Sequence, residues 1–221
     1  MNSVKIGSKG RRPKRSTYHH GDLRRELLAA AEAVVLARGV HGFTLREAAR
    51  RAGVTPAAPA HHFGDARGLL TELAILGFRE FATVLAAADA EGGSDPAQRL
   101  QEQGQAYVRF ALDRPARFQL MFSRGVYNEE NPELKEVAGA AYAVLEGAVR
   151  AAMAIPPGRA LDADSHGLLL ANWSLVHGFA HLALGDRLRD PQGSLATRAL
   201  ILNSLLPAAT RHLARSTRTS G

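Results

Sequence analysis

The sequence predicts an all-α protein, and three observations carry that expectation. Long segments are rich in Ala and Leu, no segment alternates apolar and polar residues as a half-buried strand would, and Gly, Pro and Asp clusters punctuate the long segments. A chain of 221 residues with 46% apolar residues can bury a sizeable core in one large domain or two smaller ones. With 22% charged residues it should be soluble.

The elements follow in order. Residues 1–17 lack periodicity and are rich in Lys, Arg, Gly and Ser, which reads as a disordered basic arm. From Asp22 the pattern turns helical: Leu23, Leu27, Leu28, Ala31, Val34 and Val35 share a face, and Gly39 is the stop. Later helices are expected at about Ala66–Ala90, Ala97–Leu112, Ala116–Phe122 and from Pro132 to the Ile155-Pro156-Pro157-Gly158 break. Two more, about Asp162–Leu184 and Ser194–Ala214, complete the chain. The first of these is apolar nearly all round, as for a helix buried on both sides, and the second has a broad apolar face. Such a pair suits an antiparallel hairpin that meets its copy in a dimer, or plain core packing in a monomer.

Charge is distributed unevenly. Residues 1–17 carry a net +6, residues 18–67 a net +2, and the remainder a net −1. A polyanion partner for the first third and a different task for the rest is the simplest account, against a merely solvated tail. The absence of cysteine excludes disulfides, thiol catalysis and Cys-ligated zinc. The most apolar window, Gly167–Leu184, carries Asn172, Ser174, His177 and His181, too polar for a lipid-facing helix. No apolar run follows the basic start, so a secretory signal is not expected, and the cytoplasm is the default location.

The segment from Thr44 to Phe63 is the most informative. Thr44 and Glu47 form a capping-box pattern, so a helix should start at Leu45 with Leu45, Ala48 and Ala49 inward. Gly53 falls at a sharp turn, Thr55 is placed to cap the next helix, and Pro56 to occupy its first position. This is the plan of a helix-turn-helix, whose second helix enters the major groove. Pro59 would forfeit only the first bond of that helix, back to Thr55. Ala57, Ala58 and Ala60 keep it slender, His61 and His62 supply polar groups for bases or phosphates, and Phe63 returns to the core. The DNA-facing set on this reading is Thr44, Arg46, Thr55, Pro56, Ala57, Ala60, His61, His62 and Arg67.

Residues Leu23–Leu70 resemble the N-terminal domain of TetR/AcrR-family regulators, through Thr44-Leu-Arg-Glu-Ala-Ala-Arg-Arg-Ala-Gly-Val, His62-Phe63 and Leu69-Leu70. Trp173-Ser-Leu-Val-His177-Gly178 and Tyr18-His-His-Gly-Asp-Leu-Arg24 resemble a subgroup with a WHG-type C-terminal domain. The resemblance implies a repressor: a homodimer on a palindromic DNA operator, released by a small-molecule effector held in a C-terminal cavity. It also implies that the helix at about Ala66–Ala90 moves and changes the spacing of the two recognition helices. Two positions depart from the family pattern. Ala60 stands where a tyrosine is usual and Ala66 where a lysine is usual, both phosphate contacts, with Arg67 and the basic arm as compensation. The expected organisation is a basic arm (1–17), a three-helix DNA-binding domain (18–67) and a helical ligand-binding and dimerisation bundle (68–221).

For that bundle, Tyr107, Phe118, Met121, Phe122 and Tyr142 form an aromatic and thioether cluster that reads as core or as cavity wall. Trp173, His177 and His181 are candidates for the cavity as well, and His177 and His181, four apart, have the spacing of a two-histidine metal clip. No carboxylate completes a metal set, so no metal or other cofactor is assigned, and a metal-sensing regulator is the alternative reading. An enzyme is not expected: there is no Gly-rich phosphate loop, HExxH or G-x-S-x-G. A non-catalytic helical adaptor that binds only protein would not need the basic first third.

Overall fold

The computed structural model describes residues 20–156 and 158–216. The basic arm expected at residues 1–17 and the Tyr18-His19 start of the subgroup motif lie outside the described residues. Every named element is helical: α1 (His20–Arg38), α2 (Leu45–Arg51), α3 (Ala58–Phe63), α4 (Ala66–Glu91), α5 (Pro96–Asp113), α6 (Pro115–Met121), α7 (Pro132–Ala152) and α8 (Ala163–Leu184). The last stretch runs unbroken as α9 (Arg198–Leu200), a π-helical segment (Ile201–Leu205) and α10 (Leu206–Ser216).

Short polar side chains set the helix starts. Asp65, Asn131 and Asp162 accept hydrogen bonds from the backbone N–H of Gly68, Leu134 and Ser165, at 2.7 to 3.0 Å. Asp95 caps α5 in the same way, and Pro96 and Pro132 occupy first positions that need no N–H. Gly39, at φ 72°, ends α1 in the left-handed region.

Helices α1 to α3 form the head, where Ala31, Val34, Val35 and Ala48 are fully buried together with Leu69 from the start of α4. Helices α4 to α10 form the body. The expected boundary at residue 67 falls in the first turn of α4, so one helix serves both units. The core is continuous across them, from Leu28 and Val34 of α1 to Phe118 of α6 and Val176 of α8. Arg117 of α6 ties them further, donating to Glu32 of α1 at 2.7 Å and to Glu80 of α4 at 2.6 Å.

Two features of the C-terminus differ from the sequence expectation. The final helix starts at Arg198, capped by Thr197, and not at Ser194. Residues before it close a tight loop in which Asp190 Oδ1 accepts from the Ser194 and Gln192 N–H groups, with an isolated Arg189–Leu195 bridge. Helices α8 and α10 do not close on each other as a hairpin; both pack on α5, apart from a small cluster of Ala183, Ala196 and Ile201. Helix α8 is therefore covered on one side only. Leu169, Val176 and Ala180 are buried, whereas Leu170 and Leu182 are 42% and 47% exposed. By length and composition α8 could cross a bilayer, but Asn172 and Ser165 are among its buried residues, as suits a helix of a protein body.

Candidate nucleic-acid interface and ligand cavity

The head presents α2 and α3 as a helix-turn-helix. Thr44 Oγ1 accepts from the Glu47 N–H at 3.3 Å, so α2 starts at Leu45. The reciprocal half of the capping box is not made. Glu47 gives its carboxylate instead to Arg50 (2.8 and 2.9 Å), Arg51 (3.2 Å) and Arg38 (3.6 Å). The hydrogen bonds from Arg50 and then Arg51 outweigh burial and lower the Glu47 pKa to about 2. A buried carboxylate thus fixes three arginines at one end of the head.

Gly53 makes the turn at φ 68°, a conformation that a side chain would strain. The recognition helix then starts later than the sequence pattern suggests. Thr55 does not cap it: α3 begins at Ala58, and Ala57 occupies the cap position with no side-chain bond. Pro59 is the physical reason. It has no N–H to return to the Thr55 carbonyl, so the Ala58 N–H takes that carbonyl at 3.0 Å in a tighter turn. The α-helical bonds begin with His61 to Ala57 at 3.4 Å. Pro56 consequently lies in the turn before the helix and not at its first position.

Of the expected DNA-facing set, Thr44, Arg46, Thr55, Pro56, Ala57, Ala60, His61 and Arg67 are exposed. His62 is half-buried, its ring tilted against Phe63 at 6.1 Å, while the Arg24 guanidinium lies 5.3 Å over the Phe63 ring. Arg46 makes no ion pair among the described residues. Thr44, Arg46 and Pro56 share a surface groove with Arg38, Glu47, Arg50 and Val54. Arg38 and Arg50 were not among the sequence candidates; their signal is the run of basic residues around a single acid on α2.

Head and body meet at Gly68. A Cβ there would come within 2.0 Å of the Phe63 carbonyl oxygen, so only glycine allows α3 to end so close to the first turn of α4. The first turn of α4 thus bears on the end of the recognition helix through backbone contact.

The body holds an apolar cavity of about 240 Å³ between α4, α5, α7 and α8. Phe78, Phe81 and Leu85 of α4 form one wall, Ala138, Ala141, Tyr142 and Leu145 of α7 another, and Phe122 closes the end of α6. Helix α5 contributes Leu100, Gln103, Gly104 and Tyr107, and α8 contributes Asn172, Trp173 and Val176. Of the residues expected from sequence, Tyr107, Phe122, Tyr142 and Trp173 stand in the wall.

Phe118, Met121, His177 and His181 do not. Phe118 is fully buried behind the wall, 5.0 Å from the Phe122 ring and 5.7 Å from that of Tyr107. Met121 packs over Gly77 of α4, where a Cβ would meet its sulfur at 2.7 Å. His177 Nδ1 lies 2.7 Å from Tyr107 Oη, and its Nε2 lies 3.1 Å from that of His181. Burial and then the neighbouring His181 hold the His177 pKa below its usual value, favouring a neutral ring. The pattern fits one relay: Trp173 Nε1–H donates to Tyr107 (3.3 Å), Tyr107 O–H to His177 Nδ1, and His177 Nε2–H to His181. Burial pushes the Tyr107 pKa up, in keeping with a phenol that keeps its proton. No group of three or more metal-ligating side chains occurs among the described residues.

A helix-turn-helix head continuous with a cavity-bearing helical body defines a one-chain DNA-binding regulator. The family model for bacterial regulatory proteins of the tetR family matches residues 27–73, and a model for the tetracyclin repressor-like C-terminal domain matches residues 100–205. The chain belongs to the TetR family of transcriptional regulators, which are DNA-binding proteins and not enzymes.

No curated protein matches the sequence. Among solved structures, a protein of unknown function from Rhodococcus sp. RHA1 is 34% identical, with a TM-score of 0.69 over 90% of this chain and 100% of that one. A tetR-family regulatory protein from Rhodococcus RHA1 is 20% identical (TM-score 0.66, 86% of this chain, 96% of that one). The TetR-family regulator PfmR from Thermus thermophilus is 19% identical (TM-score 0.59, 87% of this chain, 93% of that one). The last two show a shared fold.

Proposed function

We propose that the protein is a ligand-responsive repressor that binds a palindromic operator as a homodimer in the cytoplasm and leaves it when a small molecule fills the body cavity. The observation that carries this reading is the position of α4. Phe78, Phe81 and Leu85 wall the cavity, and the same helix abuts the end of the recognition helix at Gly68. An occupant that displaces α4 would move α3, and two recognition helices must stay about 34–36 Å apart, or a multiple, to read both half-sites. Release requires that the occupant bind the displaced state more tightly than the DNA-bound state.

The open side of α8, with Leu170, Ser174, Gly178 and Leu182, suits a second copy of the chain, because α5 covers only the opposite side. On the DNA, His61 and Arg46 would supply polar contacts, and Arg67 a phosphate contact in place of the lysine absent at Ala66. The two-histidine metal reading is not favoured. Tyr107 already engages His177, and the pair has no third ligand among the described residues.

The test is a gel-shift titration of the full chain against its own upstream intergenic DNA, with competitor, at about 150 mM salt. A discrete shift saturating at two chains per site is the expected result. No shift above competitor overturns the reading.

A further inference from the structure

The buried polar atoms of the cavity are unevenly matched. Gln103 and Asn172 are each 3% exposed, and Gln103 Oε1 and Asn172 Oδ1 have no hydrogen-bond partner. Their orientations are fixed by what their amide nitrogens meet. Gln103 Nε2 donates to Asp89 Oδ1 at 2.6 Å and to the Val144 carbonyl at 3.3 Å. Asn172 Nδ2 donates to the Leu168 carbonyl at 2.7 Å. Flipping either amide would set oxygen against oxygen, so both carbonyls keep their direction. Asp89 is itself clamped by Arg99 at 2.6 and 2.8 Å, which holds Gln103 in place.

Two donors of the buried wall are spent internally, Trp173 on Tyr107 and Tyr107 on His177. The wall therefore leaves the Gln103 and Asn172 carbonyls without a donor, its remaining donors are the second Asn172 Nδ2–H and the half-exposed Tyr142 O–H, and none of its residues is charged. An unpaired buried carbonyl is unfavourable until a donor reaches it, whereas a carboxylate here would lose its hydration with no compensating cation in the lining.

We infer that the cavity selects a neutral, largely apolar effector bearing a hydroxyl, amide or uncharged amine hydrogen that pairs with Gln103 Oε1 and Asn172 Oδ1. This rests on the reading of the cavity as the effector site. Scaling from a cavity of about 150 Å³ that holds benzene, the present space accommodates roughly ten non-hydrogen atoms.

Trp173 is the sole tryptophan and lines the cavity, so its fluorescence reports occupancy. The probes are 1-nonanol, its isomer octyl methyl ether, which lacks the donor, and nonanoate. The alcohol should bind about tenfold or more tightly than the ether, and nonanoate most weakly. The double variant Gln103→Met, Asn172→Leu should bring the alcohol-to-ether ratio toward one. That variant removes the unpaired acceptors together with the donors to Asp89, Val144 and Leu168, so a thermal melt without ligand checks that it folds. Should it fail to fold, the comparison of the three probes on the natural chain still decides. Equal affinity for alcohol and ether overturns the donor pairing and leaves the effector cavity standing, and preference for nonanoate overturns neutrality. No Trp173 response to any probe overturns the cavity reading itself.

Discussion

The head and the body of this regulator treat buried polarity in opposite ways. In the head, the buried carboxylate of Glu47 is over-supplied with partners, and the apolar core is built from small side chains such as Ala31, Ala48 and Ala49. In the body, large rings surround a space left open among the described residues, and two residues that line it, Gln103 and Asn172, keep unpaired amide carbonyls. A fully paired head suits a rigid reader that must hold one geometry on DNA. Under the proposed function, an under-satisfied body keeps interaction energy unused until an effector supplies it, as a switch requires.

The sharpest test of this contrast separates core from cavity within the body. Phe118 touches four rings and is fully buried behind the wall, so Phe118→Ala should cost about 3–5 kcal/mol in chemical denaturation. Tyr142→Ala, at a wall position 36% exposed, should cost well under half of that while altering Trp173 fluorescence through the ring contact at 6.2 Å. Similar losses from the two would mean that the space is ordinary loose packing and not a cavity kept open.

The next test breaks the junction. Gly68→Ala forces the end of α3 away from α4, because the obstructing atom is a backbone carbonyl and not a flexible side chain. A loss of about 1–3 kcal/mol is expected from the steric conflict, with a larger proportional loss of operator affinity than of stability. Parallel thermal melts and gel shifts check this. A stable variant with full DNA affinity would remove Gly68 from the route between cavity and recognition helix.

The same contrast explains what could be read from the sequence. The head was legible because its signals are local: Thr44 before α2, Gly53 at the turn and Pro59 near the start of α3 lie within sixteen residues of one another. Even there the start of α3 moved from Pro56 to Ala58, since the cost of the missing Pro59 N–H is avoided by a tighter turn instead of being absorbed at a helix edge. The cavity was only half legible because it depends on four helices distant in sequence. Aromatic content identified Tyr107, Phe122, Tyr142 and Trp173 as candidates, yet Phe118 and Met121 carry the same composition and face the core. Gln103 and Asn172 left a weaker signal, a polar residue on the inner face of a helix, that acquires meaning only once its neighbours are known. The single open side of α8 was illegible for the same reason: a helix apolar all round does not say which neighbour covers it.

The smallest expected effect is a difference in acid sensitivity between the two units. Glu47 has a folded pKa of about 2 against an ordinary 4.5, so its stabilisation of the head is complete above the ordinary value. As pH falls below about 4.5 the unfolded chain takes up a proton first, and the contribution disappears as pH approaches 2. His177 also has a lowered folded pKa, from 6.5, because burial and His181 disfavour its charged form. Its neutral ring therefore favours folding above about 6.5, and stability declines as pH falls below that value, where the unfolded chain binds the extra proton. The body should soften in mild acid and the head only in stronger acid. Trp173 fluorescence during denaturant titration follows the body, and hydrogen exchange of the α2 amides follows the head. In His177→Gln the decline below pH 6.5 should diminish while the decline below 4.5 persists. Joint loss of both units at a single pH would show that the continuous core from Leu28 to Val176 couples them more tightly than their separate polar networks divide them.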